Sequence, residues 1–128
     1  MIRLLILMIF VVFLGACQKS YQTMDAEAAQ ALLKEDDTAV LLDVRRKEEC
    51  DQGHIEGSLL VPLDDLKTNI TAILPDKDVP IIIYCEHGTR SLLAIEILSD
   101  LGYTALYDLG GLDTWPYDLT NEPCIYEE

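Results

Sequence analysis

The segment that most constrains this chain is Ile81-Ile82-Ile83-Tyr84-Cys85. This β-branched run passes into a polar turn, Glu86-His87-Gly88-Thr89-Arg90, and then into Leu92, Leu93, Ile95, Ile97, Leu98 and Leu101 at helical spacing. An unbroken apolar run of this length reads as a strand covered on both faces, and the 3.6-residue spacing after it reads as a helix face. Cys85 then lies at the carboxyl edge of a strand, where open α/β sheets bind ligands. It also faces the first N–H groups of a helix, which have no intrahelical partner and carry the positive end of the macrodipole. The thiolate is the reactive form of cysteine, and helix N-termini and neighbouring guanidinium groups favour it. Arg90 adds a fixed positive charge, and Gly88 lets the loop curl so that several N–H groups converge.

Cys85 to Ser91 resembles the active-site loop of the rhodanese family of sulfurtransferases, Cys-x-x-Gly-x-Arg followed by Ser. Further markers stand in family order: Leu41-Leu42-Asp43-Val44-Arg45, Glu48, Gly53-His54-Ile55-Glu56-Gly57-Ser58, Pro62, Leu109-Gly110-Gly111 and Trp115. The resemblance implies an α/β, rhodanese-like fold, a mostly parallel five-stranded sheet flanked by helices on both faces. It implies transfer of a sulfane sulfur from thiosulfate or a persulfide to a thiol or cyanide acceptor through a Cys85 persulfide, without cofactor or metal. Cys85 and Arg90 would be catalytic. Glu86, His87, Gly88, Thr89 and Ser91 would contact substrate, and Arg45, at the edge of its strand, would assist an anionic one. His54 would tie loops together.

Two residues depart from the commoner family pattern. Glu86 follows the nucleophile where Arg or Lys is frequent, which makes the loop less inviting to a doubly charged donor such as thiosulfate. His87 places a titratable group near the sulfur, as an acid or facing solvent. Cysteine-dependent phosphatases and arsenate reductases carry five residues between Cys and Arg, whereas four separate Cys85 from Arg90 here. A rhodanese-like binding module without activity would often lack the cysteine, and a thiol redox protein would carry Cys-x-x-Cys.

The chain begins with an apolar run, Leu4 to Leu14, behind a single Arg3. It is too short for a span of about 20 residues and suits a signal-peptide core. Leu14-Gly15-Ala16-Cys17 resembles the lipobox of bacterial lipoproteins. This implies a signal peptide over residues 1–16, a lipid-bearing Cys17 with a linker over 17–22, and one domain over 23–128. The expected place is the bacterial cell envelope, lipid-anchored on the periplasmic or extracytoplasmic face.

A formal net charge of −14 argues against nucleic-acid partners and against electrostatic attachment to anionic lipid. The rhodanese resemblance implies a small-molecule or protein persulfide donor and a thiol acceptor as partners, and the lipobox implies the membrane, with the domain expected to be a monomer. Four cysteines at wide intervals do not read as a zinc site. Cys50 and Cys124 either form a disulfide or stay as two packed or free thiols.

The remaining elements alternate. Gln18 to Gln22 is a linker or first edge strand, and Thr23 or Asp25 caps a helix carrying Ala28, Ala29, Leu32 and Leu33. Ala39–Val44 is a strand in which Asp43 reads as a buried carboxylate satisfied by Arg45 or local N–H groups. Arg46–Gln52 is a short helix, Leu59–Val61 a brief strand, and Leu63 to Leu74 a helix. Tyr103–Tyr107 reads as the last strand, followed by a turn at Gly110-Gly111 and a short helix with Trp115 as a core plug.

Overall fold

A computed structural model describes residues 20–126 of the chain. The apolar N-terminal run and Cys17 lie outside the described residues. Among those described, no helix is long and apolar enough to cross a membrane.

The elements are β1 (Gln22–Thr23), α1 (Ala26–Glu35), β2 (Val40–Asp43), α2 (Lys47–Asp51), β3 (Leu59–Leu60), α3 (Leu63–Ile73), β4 (Ile81–Cys85), α4 (Thr89–Asp100), β5 (Leu106–Gly111), a 3-10 turn (Leu112–Thr114) and β6 (Ile125–Tyr126). The strands form one sheet in the order β1-β5-β4-β2-β3-β6, with every strand pair parallel. The α/β class and the parallel sheet therefore hold, but the sheet has six strands where five were expected. The sixth comes from the tail, where two residues beside β3 are too few to show an alternating pattern.

Strand β4 is the central element, and alternate residues serve opposite faces. Ile81, Ile83 and Cys85 join Leu66, Ile70, Ala94, Ile95 and Leu98 under α3 and α4. Ile82 and Tyr84 join Leu41, Ala29 and Ile55, with Leu32 and Leu33 of α1 packed against them. All five β4 residues are buried, which accounts for the continuous apolar run. Asp25, not Thr23, caps α1: its Oδ1 accepts from the Ala28 N–H at 2.8 Å, while Thr23 lies in β1.

The last strand begins later than its sequence suggests. Tyr103 is withdrawn into the core beneath α3, where its hydroxyl donates to the Leu74 carbonyl at 2.6 Å. Pairing with β4 therefore starts at Leu106 and runs through Gly110-Gly111, with a register shift opposite Ile83/Tyr84. Trp115 follows the 3-10 turn without belonging to a helix. It is half-buried, stands edge-on to Tyr117 at 5.1 Å between ring centroids, and packs against the α1 side of the core.

Candidate active site

The chain leaves β4 at Cys85 and enters α4 at Thr89, so three residues turn it. Gly88 makes the turn possible, since as the residue before α4 it has φ +92°, a conformation that costs a side-chain-bearing residue but not glycine. The consequence falls on the sulfur. Cys85 Sγ accepts from the Gly88 N–H at 3.0 Å and from the Ser91 N–H at 3.3 Å. Cys85 is 1% exposed, and these amides are aimed at its sulfur from the loop and from the first turn of α4.

A second layer fixes those amides. The Ser91 hydroxyl donates to the Gly88 carbonyl at 3.0 Å and to Asp108 Oδ1 at 2.9 Å. Asp108 Oδ1 also accepts from the Gly110 N–H at 2.9 Å, at the irregularity in β5. Gly111 lies directly under the loop: a Cβ there would stand 2.5 Å from the Glu86 carbonyl oxygen and 2.8 Å from His87 Cα. The double glycine is thus demanded by close approach as well as by turning.

Arg90 is engaged by a carboxylate of α2. Its two terminal nitrogens donate to the Glu49 carboxylate at 2.7 and 2.8 Å, a fork-to-fork pair joining α4 to α2. Those hydrogen bonds hold the Glu49 carboxyl at about 2, well below its ordinary 4.5, against the opposing effect of burial. Arg90 is raised in turn, chiefly by the same bonds. The pair ties the first turn of α4, and with it the end of the loop, to α2.

Arg45 is placed differently from the expectation. It is 2% exposed, with Nη2 on Asp43 at 2.8 Å and on the Gly53 carbonyl at 2.9 Å and Nη1 on Glu86 at 3.1 Å. Burial opposes its charge, but the Asp43 carboxylate outweighs that and raises its pKa. Its donors are thus committed inside the protein and are not left over for an anionic substrate. Asp43 is the satisfied carboxylate that was expected, and it also accepts from the Tyr84 hydroxyl at 2.9 Å. The Glu86 side chain turns toward Arg45 instead of standing over the sulfur. His87 is 76% exposed with Nδ1 3.6 Å from Asp113, and Thr89 is exposed. His54 is buried, with Nδ1 3.1 Å from the Cys50 carbonyl, and its backbone is paired to Thr120 in both directions, at 3.0 and 2.8 Å.

A cleft of about 450 Å³ opens beside the loop, lined in part by Arg45, Glu49, Gly53, Glu86 and Asp113. Of its three carboxylates, Glu49 is paired with Arg90 and Glu86 with Arg45, while Asp113 stands 3.6 Å from the exposed His87. Glu49 and Asp108 were not identified from the sequence, and neither carries a local signal: one is an ordinary helix acid, the other a strand acid. Their roles arise only where α2 and β5 meet α4.

The model of the rhodanese-like domain matches residues 25–116. The chain belongs to the rhodanese-like family. Among the relatives of this rhodanese-like protein is the thiosulfate sulfurtransferase PspE of Escherichia coli, 41% identical over 56% of this chain and 68% of that one. A sulfurtransferase of Allochromatium vinosum is 32% identical over 72% of this chain and 85% of that one. The human single-domain sulfurtransferase TSTD1 superposes with a TM-score of 0.64 at 27% identity, over 73% of this chain and 93% of that one. Sulfurtransferase relatives thus share both the sequence and the fold of the rhodanese-like chain.

Proposed function

We propose that this rhodanese-like protein moves a sulfane sulfur through a persulfide on Cys85. The observation that carries the proposal is the pair of backbone N–H groups, from Gly88 and Ser91, directed at Cys85 Sγ. The Cys85 thiolate attacks the outer sulfur of the donor, forming Cys85–S–S⁻ and expelling sulfite from thiosulfate or a thiolate from a persulfide. An acceptor thiolate then attacks that outer sulfur, giving an acceptor persulfide and regenerating the Cys85 thiolate. Splitting one transfer into two in this way predicts ping-pong kinetics. Donors fixed before the reaction stabilise the charge without reorganising during it. Glu86 directly after Cys85, in place of a basic residue, and the net charge of −14 favour a thiol-borne persulfide, with one negative charge at the reacting end, over dianionic thiosulfate.

Phosphatase chemistry fits less well, because both terminal nitrogens of Arg90 are engaged by Glu49. Intact mass after incubation with a persulfide donor tests the assignment. The expected result is a gain of one sulfur that is lost on thiol treatment and absent from Cys85→Ser. An unchanged wild-type mass would rule the persulfide out.

A further inference from the structure

A second cluster of reactive side chains lies away from the loop, assembled from residues far apart in the chain. Cys50, His54 and Cys124 bring one ligand atom each to within 4.8 Å of one another. Cys50 and His54 are buried. Cys124 Sγ stands 3.6 Å from His54 Nδ1 and 3.6 Å from Asp51 Oδ1. In this structure the two sulfurs are joined as a disulfide, with Cα atoms 6.3 Å apart and a sequence separation of 74. The wide spacing of the cysteines, which argued against a metal site in the linear chain, is cancelled by the fold.

We propose that this pair has two states: a disulfide when oxidised and, when reduced, a zinc site of Cys50, Cys124, His54 and Asp51. Bond lengths of about 2.3 Å to sulfur and about 2.0–2.2 Å to nitrogen or oxygen put neighbouring ligand atoms of a tetrahedral zinc about 3.5–3.6 Å apart. Both contacts of Cys124 Sγ with His54 and Asp51 already have that separation. Two movements complete the site: the sulfurs must part to about 3.8 Å, which half-buried Cys124 beside the two-residue edge strand β6 can supply, and Asp51 Oδ1, outside the mutually close group of Cys50, His54 and Cys124, must swing in with it. His54 Nδ1 now lies 3.1 Å from the Cys50 carbonyl. It binds metal by giving up that contact and carrying its proton on Nε2. Asp51 leaves Lys47, a pair between exposed side chains.

Two thiolates, an imidazole and a carboxylate suit zinc, and four protein ligands make a closed, structural site. The electron balance needs a dithiol, which delivers two electrons and two protons to the disulfide and is itself oxidised to a disulfide. Zinc then displaces the two thiol protons to solvent. Cys50 follows Glu49 directly, so either state ties α2 to the tail and keeps the clamp on Arg90 in place.

The test uses the full chain with Cys17→Ser and Cys85→Ser, leaving Cys50 and Cys124 as its cysteines. After phosphine reduction and anaerobic desalting it is titrated with Co²⁺. The expected result is one ion per chain with sulfur-to-cobalt charge transfer and tetrahedral ligand-field bands, displaced by Zn²⁺ and absent before reduction. Cys124→Ser, Asp51→Asn and His54→Gln should each weaken binding by about tenfold or more. The first two alter side chains at least partly open to solvent and serve even if His54→Gln fails to fold. An octahedral spectrum, equal binding before and after reduction, or unchanged affinity in any folded variant overturns the assignment.

Discussion

Arg90 and Glu49 illustrate how a charged residue can serve a site without touching its reacting atom. Their two parallel hydrogen bonds hold the first turn of α4, and with it the Ser91 N–H, against α2. Glu49→Gln keeps the shape but removes the charge and one acceptor. The expected outcome is a fall of about 10- to 100-fold in kcat for sulfur transfer, since small misplacements of positioned groups cost that much, with circular dichroism unchanged. An unaltered rate would show that the clamp is a bystander. Tyr84 carries a pH signature on the other face of β4: burial first, and then the Asp43 carboxylate, raise its hydroxyl above the ordinary 10.0. Above about pH 10 the unfolded chain has released that proton while the folded one still holds it, so stability present below pH 10 declines as pH rises. Thermal melts between about pH 9 and 11 should therefore fall more steeply with pH for wild type than for Tyr84→Phe. Parallel slopes would remove Tyr84 as the cause.

At the scale of elements, the site is a junction of α2, β4, α4 and β5. Strand β5 supports the loop from beneath through Gly111, whose missing side chain leaves room for Glu86 and His87. Gly111→Ala should displace the loop backbone and abolish sulfur loading by mass, while the melting temperature changes little because the loop moves and the core does not. Retained loading would show that the loop can yield. The Cys50–Cys124 bond secures α2 to the tail from the other side, and a closed loop of this length contributes roughly 4 kcal/mol by chain entropy. The elements that deliver Cys85 were legible in sequence because β4 is apolar on both faces and α4 follows at helical spacing. The start of β5 was not, because Tyr103 has strand propensity yet serves as a core anchor, and propensity yields to packing.

For the whole molecule, a net charge of −14 repels a dianionic donor at long range. Raising ionic strength from about 0.01 M to about 0.15 M contracts the Debye length from about 30 Å to about 8 Å. Over that range kcat/KM for thiosulfate should rise several-fold, while that for a neutral trisulfide donor stays flat. Equal responses would remove repulsion as the basis of donor choice. The linear chain determined the α/β class and the place of Cys85 and its loop between a strand and a helix, because each follows from local periodicity and from residue types that sit together in sequence. Only the tertiary structure decided that Arg45 is spent on Asp43 and Glu86, that Glu49 and Asp108 hold the loop, and that Cys50 meets Cys124 and His54. Those are contacts between segments distant in the chain, and their energies depend on distances that packing, not residue order, sets.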